Sequence, residues 1–421
     1  MREMKDSGIK WIGNVPASWK LVPIRYLFRE CTTKNRLGQE KTALKFTYGT
    51  IIPKTNFNAN TDDYVANTIM SYTVVHPGVI MINCLNLNYD FVSQRIGLVK
   101  DYGAITSAYL AIEPNIQVLS AYATYQLKSW DAAKAFHNMG TGVRKTLDFS
   151  ELGKKHFVLP TLGEQKNIVE FLDSQCSEID AISADIQKEI EILEQYKRSV
   201  ITEAVTKGLN PDAEMKDSGV PWIGKMPANW TCIKGKYILK YMQKPVKPDD
   251  GVITCFRDGE VTLRSNRRED GFTMADKEIG YQGIDAGDLV VHGMDGFAGA
   301  IGISDSRGKA SPVLNVLDSR QNKKYIMYYL RSMAYGDVFA ALATGIRVRS
   351  CDLRWNKLSV LLYPVPPLEE QAEIVQYIED TLNKVNGVIG EKKQQLTVID
   401  SYKKSLIYEY VTGKKEVPNE Q

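Results

Sequence analysis

Histidine is scarce in this 421-residue chain, which has four: His76, His137, His156 and His292. None stands in H-E-x-x-H, or in H-x-E ahead of a C-x-x-C, so no metal site is expected. Each reads as a surface or core side chain. The six cysteines (Cys31, Cys84, Cys176, Cys232, Cys255, Cys351) are scattered, with no C-x-x-C pair. That excludes a disulfide framework and fits free thiols in a reducing cytoplasm. No run approaches the ~20 apolar residues of a membrane span. The densest early run, 79–82, is strand-sized. The opening MREMKDSGIKWIG has no apolar core, so no secretory signal is expected there. Charge of one sign is also missing: 53 Lys+Arg face 50 Asp+Glu, a net of +3. This excludes a polybasic tail protein but not a DNA binder whose positive charge is local.

Catalytic motifs are absent too, and no catalytic residue is assigned. There is no G-x-x-x-x-G-K-[ST] phosphate loop and no N-P-P-Y-type tetrapeptide of DNA amino-methyltransferases. Gly293-Met294-Asp295-Gly296-Phe297-Ala298-Gly299 has the wrong spacing for a dinucleotide loop and precedes a strand; it reads as a hairpin turn. Pro211-Asp212-Ala213-Glu214-Met215-Lys216 has the letters of a nuclease site, but in one linker rather than on two converging strands.

What the chain does have is itself, twice. Met4-Lys5-Asp6-Ser7-Gly8-Ile9-Lys10-Trp11-Ile12-Gly13 returns as Met215-Lys216-Asp217-Ser218-Gly219-Val220-Pro221-Trp222-Ile223-Gly224, and both copies run on to a tryptophan, Trp19 and Trp230. Thr141-Gly142-Val143-Arg144 matches Thr344-Gly345-Ile346-Arg347. Pro160-Thr161-Leu162-Gly163-Glu164-Gln165 matches Pro366-Pro367-Leu368-Glu369-Glu370-Gln371. Tyr196-Lys197-Arg198-Ser199 matches Tyr402-Lys403-Lys404-Ser405. So long a period is a duplicated domain pair, not a solenoid. Residues 30–70 and 235–280 show no similarity to each other, which points to two modules doing one job on different targets.

Each half begins with short β-rich runs between Gly, Pro, Asn and Asp turns. A helical stretch follows, at 120–136 and at 323–342. Residues 164–207 then contain no Pro or Gly. Ile179, Ile182, Ile186 and Leu193 follow coiled-coil spacing, as do Leu382, Val385, Ile389, Leu396 and Ile399 in the second half. Lys392 and Lys403 interrupt that second stripe, and Gly387 and Gly390 weaken it. About 40 helical residues make a rod of roughly 60 Å, whose apolar stripe needs a partner. The economical partner is the other half's helix, antiparallel. The expected fold is α+β, with two globular domains joined by two long helices in an antiparallel coiled coil, pseudo-two-fold symmetric. The expected domains are 1–160 and 211–364, and the helical regions 161–210 and 365–421.

The remaining chemistry is binding chemistry. Gly140 and Gly142 flank Thr141, and such glycines let backbone approach a phosphate. Arg144 and Lys145 follow, and the second copy offers Thr344, Gly345, Arg347 and Arg349. Arg144 can reach a phosphate or a guanine edge. A surface turn with an incidental arginine is the plainer reading of either copy alone; its repetition favours DNA contact. The divergent inserts carry local positive charge: Lys34, Arg36, Lys41 and Lys45 in the first, Lys236, Lys240, Lys244, Lys247, Arg264, Arg267 and Arg268 in the second. Asn56, Asn58, Asn60, Asn266 and Gln282 are base-reading candidates nearby.

In these motifs the chain resembles the specificity (S) subunit of type I restriction–modification systems. The M-K-D-S-G-x-x-W-I-G opening, the P-x-L-x-E-Q helix starts and the Y-K-x-S helix ends carry the resemblance over the whole chain. It implies two target recognition domains, each reading half of a bipartite asymmetric site in double-stranded DNA. The helical rod would set the spacer and dock two methyltransferase (M) subunits, with motor–nuclease (R) subunits joining them. S-adenosylmethionine would belong to the methyltransferase, and ATP with magnesium to the motor–nuclease. This chain would hold no cofactor and catalyse nothing, in the cytoplasm and away from membranes. The alternative is an adaptor or scaffold protein with a coiled-coil rod and no DNA.

Overall fold

The computed structural model describes residues 2–58, 63–87, 94–140, 142, 145–267, 279–342 and 353–418. The chain forms two compact units: Met1–Ile186 with Gln394–Gln421, and Gln187–Lys393. Each is a mixture of short strands, short helices and parts of two long helices, Leu162–Lys207 and Leu368–Val411. Among the described residues no helix is long and apolar enough to cross a membrane.

In the first unit the repeated opening is a hairpin, Met4–Asp6 against Asn14–Pro16. Lys20–Pro23 then pairs antiparallel with His156–Leu159. A four-stranded sheet has the order Phe28–Glu30, Leu110–Pro114, Ile80–Ile82, Ile96–Leu98. A second four-stranded sheet, Thr50–Asn58, Thr42–Thr47, Gly103–Ile105, Thr73–Val75, comes from the insert and the segments beside it. The dense early run 79–82 is the buried strand Ile80–Ile82 of the scaffold sheet.

The second unit repeats the scaffold. Met215–Asp217 pairs with Lys225–Pro227, and Thr231–Lys234 with Leu362–Val365. Its four-stranded sheet has the same order, Leu239–Met242, Leu314–Ser319, Leu289–His292, Ile301–Ile303. The glycine-rich segment 293–299 joins the last two as a hairpin, with Gly299 at φ +96. The inserts, unlike in sequence, are alike in path. Ile253–Cys255 pairs with Val261–Leu263, and Gln282–Ile284 with Gly308–Ala310. A parallel bridge, Val252 to Lys309, links the two pairs. The first unit has a parallel contact at the matching place, Ala43 to Ala104.

Two expectations are corrected in the same way. The helices read as 120–136 and 323–342 stop at Ala132 and Tyr335, and a second short turn follows each. The break is one residue in left-handed backbone, Lys134 at φ 56 and Asp337 at φ 54. A single such residue costs little enough for packing to decide. Phe136 and Phe339 lie just past the breaks and are buried.

The long helices pair antiparallel within each unit. In the first, the rings of Phe171 and Tyr410 meet at a tilt, centroids 4.5 Å apart, and Lys403 reaches Asp180 at 2.6 Å. In the second, Ile201, Ala204 and Val205 share a core with Ile374, Val375 and Ile378, and Lys392 binds Glu189. The two lysines that broke the apolar stripe are thus cross-helix ion pairs. Gly387 and Gly390 continue the helix and have open space around them.

Candidate nucleic-acid interface

The repeated motifs are chiefly a seat that fixes each globular part on a helix. The buried Trp19 donates from Nε1 to Glu164 at 3.0 Å, and Trp230 to Glu370 at 2.9 Å. Burial would raise the Glu164 carboxyl, but the bonds from Trp19 and Thr161 and the Arg2 cation outweigh it, so it lies below the usual range. The next residue is a buried glutamine. Gln165 accepts from Leu119 N at 2.8 Å, and Gln371 from Asn322 N at 2.9 Å, so each fixes the start of a domain helix. Tyr122 donates to Val411 O at 3.1 Å, and Tyr325 to Val205 O at 3.0 Å, satisfying a carbonyl in the last turn of a long helix. Lys5 and Lys216 donate to the Ala17 and Ala228 carbonyls. Lys216 therefore belongs to a turn, not to a nuclease site.

Thr141 and Arg144 lie outside the described residues, as do Thr344, Gly345, Arg347 and Arg349. Their anchors are described. Gly142 is exposed at φ +76, and Lys145, half-buried at φ 37, accepts from Leu87 N at 3.2 Å. Gly140 must be glycine, because a Cβ there would lie 2.7 Å from Lys145 C. Leu147 N donates to Cys84 O at 3.2 Å, and Leu353 N to Gly293 O at 2.8 Å. Both segments thus return to the backbone just past the same scaffold strand. Sequence reading missed Arg95. Buried, its Nη1 donates to the carbonyls of Asn83 and Leu85 at 2.9 Å each, bracing the loop that supports this segment.

The inserts present different chemistry. In the first unit Arg36 is exposed, and Lys34 lies against hydroxyls, Ser107 at 2.5 Å and Thr73 at 3.2 Å. Residues 41–58 contain three lysines and no acid. They form a hairpin with Tyr48 at its tip, 77% exposed. A basic two-stranded ribbon of this kind fits a major groove. The side chains of Asn56, Asn58 and Asn60 lie outside the described residues.

In the second unit a cleft of about 650 Å³ is lined by Arg257, Arg264, Arg267, Phe256, His292 and Asp295 among others. Arg267 lies over Phe256 at 4.1 Å, and binds Asp258 at 2.7 Å and Glu260 at 2.9 Å. Arg264 Nε donates to Thr254 at 3.4 Å. Arg268 lies outside the described residues. Burial lowers the His292 imidazole, against the pull of Asp295, and its Nδ1 accepts from Asp295 N at 2.9 Å. That leaves Nε2 to donate from the neutral ring. Arg257 is likewise held, by Asp295 at 2.9 Å, so carboxylates already bind two of the arginines in this cleft and one of them covers the Phe256 ring.

Three charge and polarity assignments change. Lys244 adds nothing to a positive surface, because Asp285 at 2.8 Å and Asp288 at 2.6 Å hold it. Arg307 closes that network on Asp250 at 2.9 Å and Asp285 at 2.5 Å. The bonds from Lys244 and Arg307 outweigh burial and pull Asp285 down to about 2. Gln282 is buried, donating to Leu314 O at 2.9 Å, and Asn266 donates to Thr262 at 3.0 Å. Among the described residues, no group of three or more His, Cys, Asp or Glu could hold a metal ion.

The stripe residues divide by unit. In the first, Ile179 is buried, Ile186, Leu396 and Ile399 are half-buried, and Ile182 is 52% exposed. In the second, Val385 and Ile389 are buried and Leu193 and Leu382 half-buried. Each unit's share of the helix pair also leaves apolar side chains in water, Val398 and Tyr402 in the first, Ile192 and Val388 in the second.

No family model matches the chain. Curated relatives are nonetheless of one kind. The MjaVIII specificity subunit of a type I restriction enzyme from Methanocaldococcus jannaschii is 25% identical over 338 residues, covering 75% of each chain. The StySPI specificity subunit from Salmonella potsdam is 20% identical over 423 residues, covering 95% of this chain and 90% of that one. A solved chain from a type I restriction–modification system, studied for its complex assembly and conformational transition, superposes with a TM-score of 0.66 at 12% identity. It covers 95% of this chain and 99% of its own. The chain is thus a homologue of type I restriction enzyme specificity subunits, the family its repeated motifs resemble.

Proposed function

We propose that this chain is the DNA-recognition subunit of a type I restriction–modification complex. Each unit reads one half of a bipartite, asymmetric site in double-stranded DNA. The paired helices set the unread spacer and dock two methyltransferase subunits, and motor–nuclease subunits join that complex. The chain performs no chemistry of its own. S-adenosylmethionine is held by the methyltransferase, and ATP with magnesium by the motor–nuclease. One observation carries this reading: two copies of one scaffold, gripped alike on the helices, hold inserts of the same path but different surface chemistry. Phosphate contacts position a protein on any duplex, whereas base contacts specify the sequence, so different inserts suit different half-sites. The apolar side chains left exposed on the helices suit partner helices.

The test is long-read methylation sequencing of cells carrying this chain and its partner methyltransferase. The expected motif has two short specified parts around a fixed gap. Exchanging residues 20–155 for those of a relative changes one part and leaves the other. A motif that changes in both parts defeats the modular reading. Absence of any motif, with no sequence-specific shift of duplex DNA, favours a scaffold protein.

A further inference from the structure

The duplicated scaffold carries one exposed feature that its own packing does not require. In the first unit Arg25 lies over the ring of Tyr26 at 5.2 Å; in the second Lys236 lies over Tyr237 at 4.9 Å. Tyr26 is 64% exposed and Tyr237 71%. The two turns are held identically. Ile24 N donates to Lys155 O at 2.8 Å and Arg25 N to Gly153 O at 3.1 Å. Gly235 N donates to Leu361 O at 2.9 Å and Lys236 N to Ser359 O at 2.8 Å. The partner segments directly follow the short helices Phe149–Leu152 and Trp355–Leu358, which come just after the Thr-Gly-x-Arg segments.

Both copies keep a cation and a tyrosine hydroxyl while most surrounding residues change. The apolar neighbour is not shared: Ile116, fully exposed beside Tyr26, has polar Arg320 and Gln321 in the corresponding loop. The cation differs, arginine in one copy and lysine in the other. A lysine cannot reproduce arginine's planar fork, so the shared chemistry is a point charge for a compact anion. The next basic residue along is already engaged in the first unit, where Arg29 binds Glu113 at 2.6 Å. Neither Arg25 nor Lys236 has a carboxylate partner among the described residues.

We infer that Arg25–Tyr26 and Lys236–Tyr237 grip the phosphate backbone of duplex DNA, one pair beside each half-site. This rests on the DNA-recognition reading above. A backbone is alike at both half-sites, so a contact to it belongs on the duplicated scaffold; contacts to bases belong on the inserts.

The test uses the full chain with its partner methyltransferase and compares wild type with Arg25→Ala/Lys236→Ala. Affinity is measured by fluorescence anisotropy on a duplex bearing the methylated motif and on a scrambled duplex, at several salt concentrations. Losing two phosphate contacts makes the slope of log affinity against log salt shallower by about 1.8. Between 50 and 200 mM salt, wild-type affinity then falls about tenfold further than the variant's. Both duplexes lose affinity alike, the methylome motif is unchanged, and Arg25→Lys/Lys236→Arg behaves as wild type. The thermal midpoint stays put, since these side chains are exposed. An unchanged slope overturns the proposal. So does an altered motif, which means base reading, or loss of methyltransferase on co-purification, which means a protein interface. A wild type that binds no duplex defeats the DNA-recognition reading itself. A wild type that binds while the variant matches it defeats only this proposal.

Discussion

Lys34 and Lys244 mark the same spot in the two units, each where the chain enters the insert. Lys34 bridges to Thr73 and Lys244 to Gly283, on matching strands. The first lysine is met by hydroxyls, the second by two aspartates, Asp285 and Asp288, of which Asp285 is also bound by Arg307. Duplication kept the path of the chain and let the chemistry around it change. The same holds where the inserts rest on the scaffold sheet. Gly97 and Gly302 occupy the same position in the edge strands Ile96–Leu98 and Ile301–Ile303. Above Gly97 lie the side chains of Phe46 and Ile51; above Gly302 lies the Gly259 carbonyl. A common scaffold with separately evolved inserts produces this pattern.

The comparison is tested first on what the units share. Trp19→Ala and Trp230→Ala should each cost about 3–5 kcal/mol, the usual loss for a buried tryptophan. Denaturant unfolding, with hydrogen exchange to locate the loosened unit, reads this. Costs that differ by more than about 2 kcal/mol would mean the two seats are not equivalent. Next come the sheet glycines, where the units should differ. A Cβ on Gly302 would lie 2.0 Å from the Gly259 carbonyl oxygen, and backbone cannot yield easily. On Gly97 it would meet Phe46 at 2.6 Å and Ile51 at 3.1 Å, side chains that can turn aside. Gly302→Ala should therefore cost about 3 kcal/mol and Gly97→Ala about 1 kcal/mol, within the range for overpacking. Equal costs would remove the distinction.

The smallest effect is acid sensitivity. Asp285 sits at about 2 when folded, against ~3.9 unfolded. Between these values the unfolded chain binds more protons, so the Asp285 contribution is present above about pH 4 and is lost as pH falls toward 2. Urea midpoints measured from pH 6 to pH 3 should fall less steeply in Asp285→Asn than in wild type. Parallel profiles would show that the network does not couple to folding.

Much of this was legible beforehand. The duplication, the long helices, the scaffold strands and the seat residues Trp19, Glu164, Trp230 and Glu370 stand out because they recur at fixed spacing. Their roles did not. Trp-to-Glu contacts across 140 or more residues exist only once the chain is folded. Lys392 and Lys403 looked like faults in a stripe because their partners, Glu189 and Asp180, are about 200 residues away. The break at Asp337 was hidden because helix periodicity continues through it, and burial of Phe339 sets the angle. Arg95 carried no signal, since nothing local marks an arginine whose work is to bind carbonyls.

By itself the sequence determined that one scaffold occurs twice, that each copy ends in a long amphipathic helix, and where the copies diverge. Periodicity and repetition are local properties, and side-chain pattern expresses them directly. Only the tertiary structure decided that the dissimilar inserts follow one strand path, and that Lys244 is spent on aspartates. It also decided that Arg25 and Lys236 are exposed cations at matched places. Those outcomes depend on which groups meet across the fold, and a charge is available to a partner only where no opposite charge already holds it.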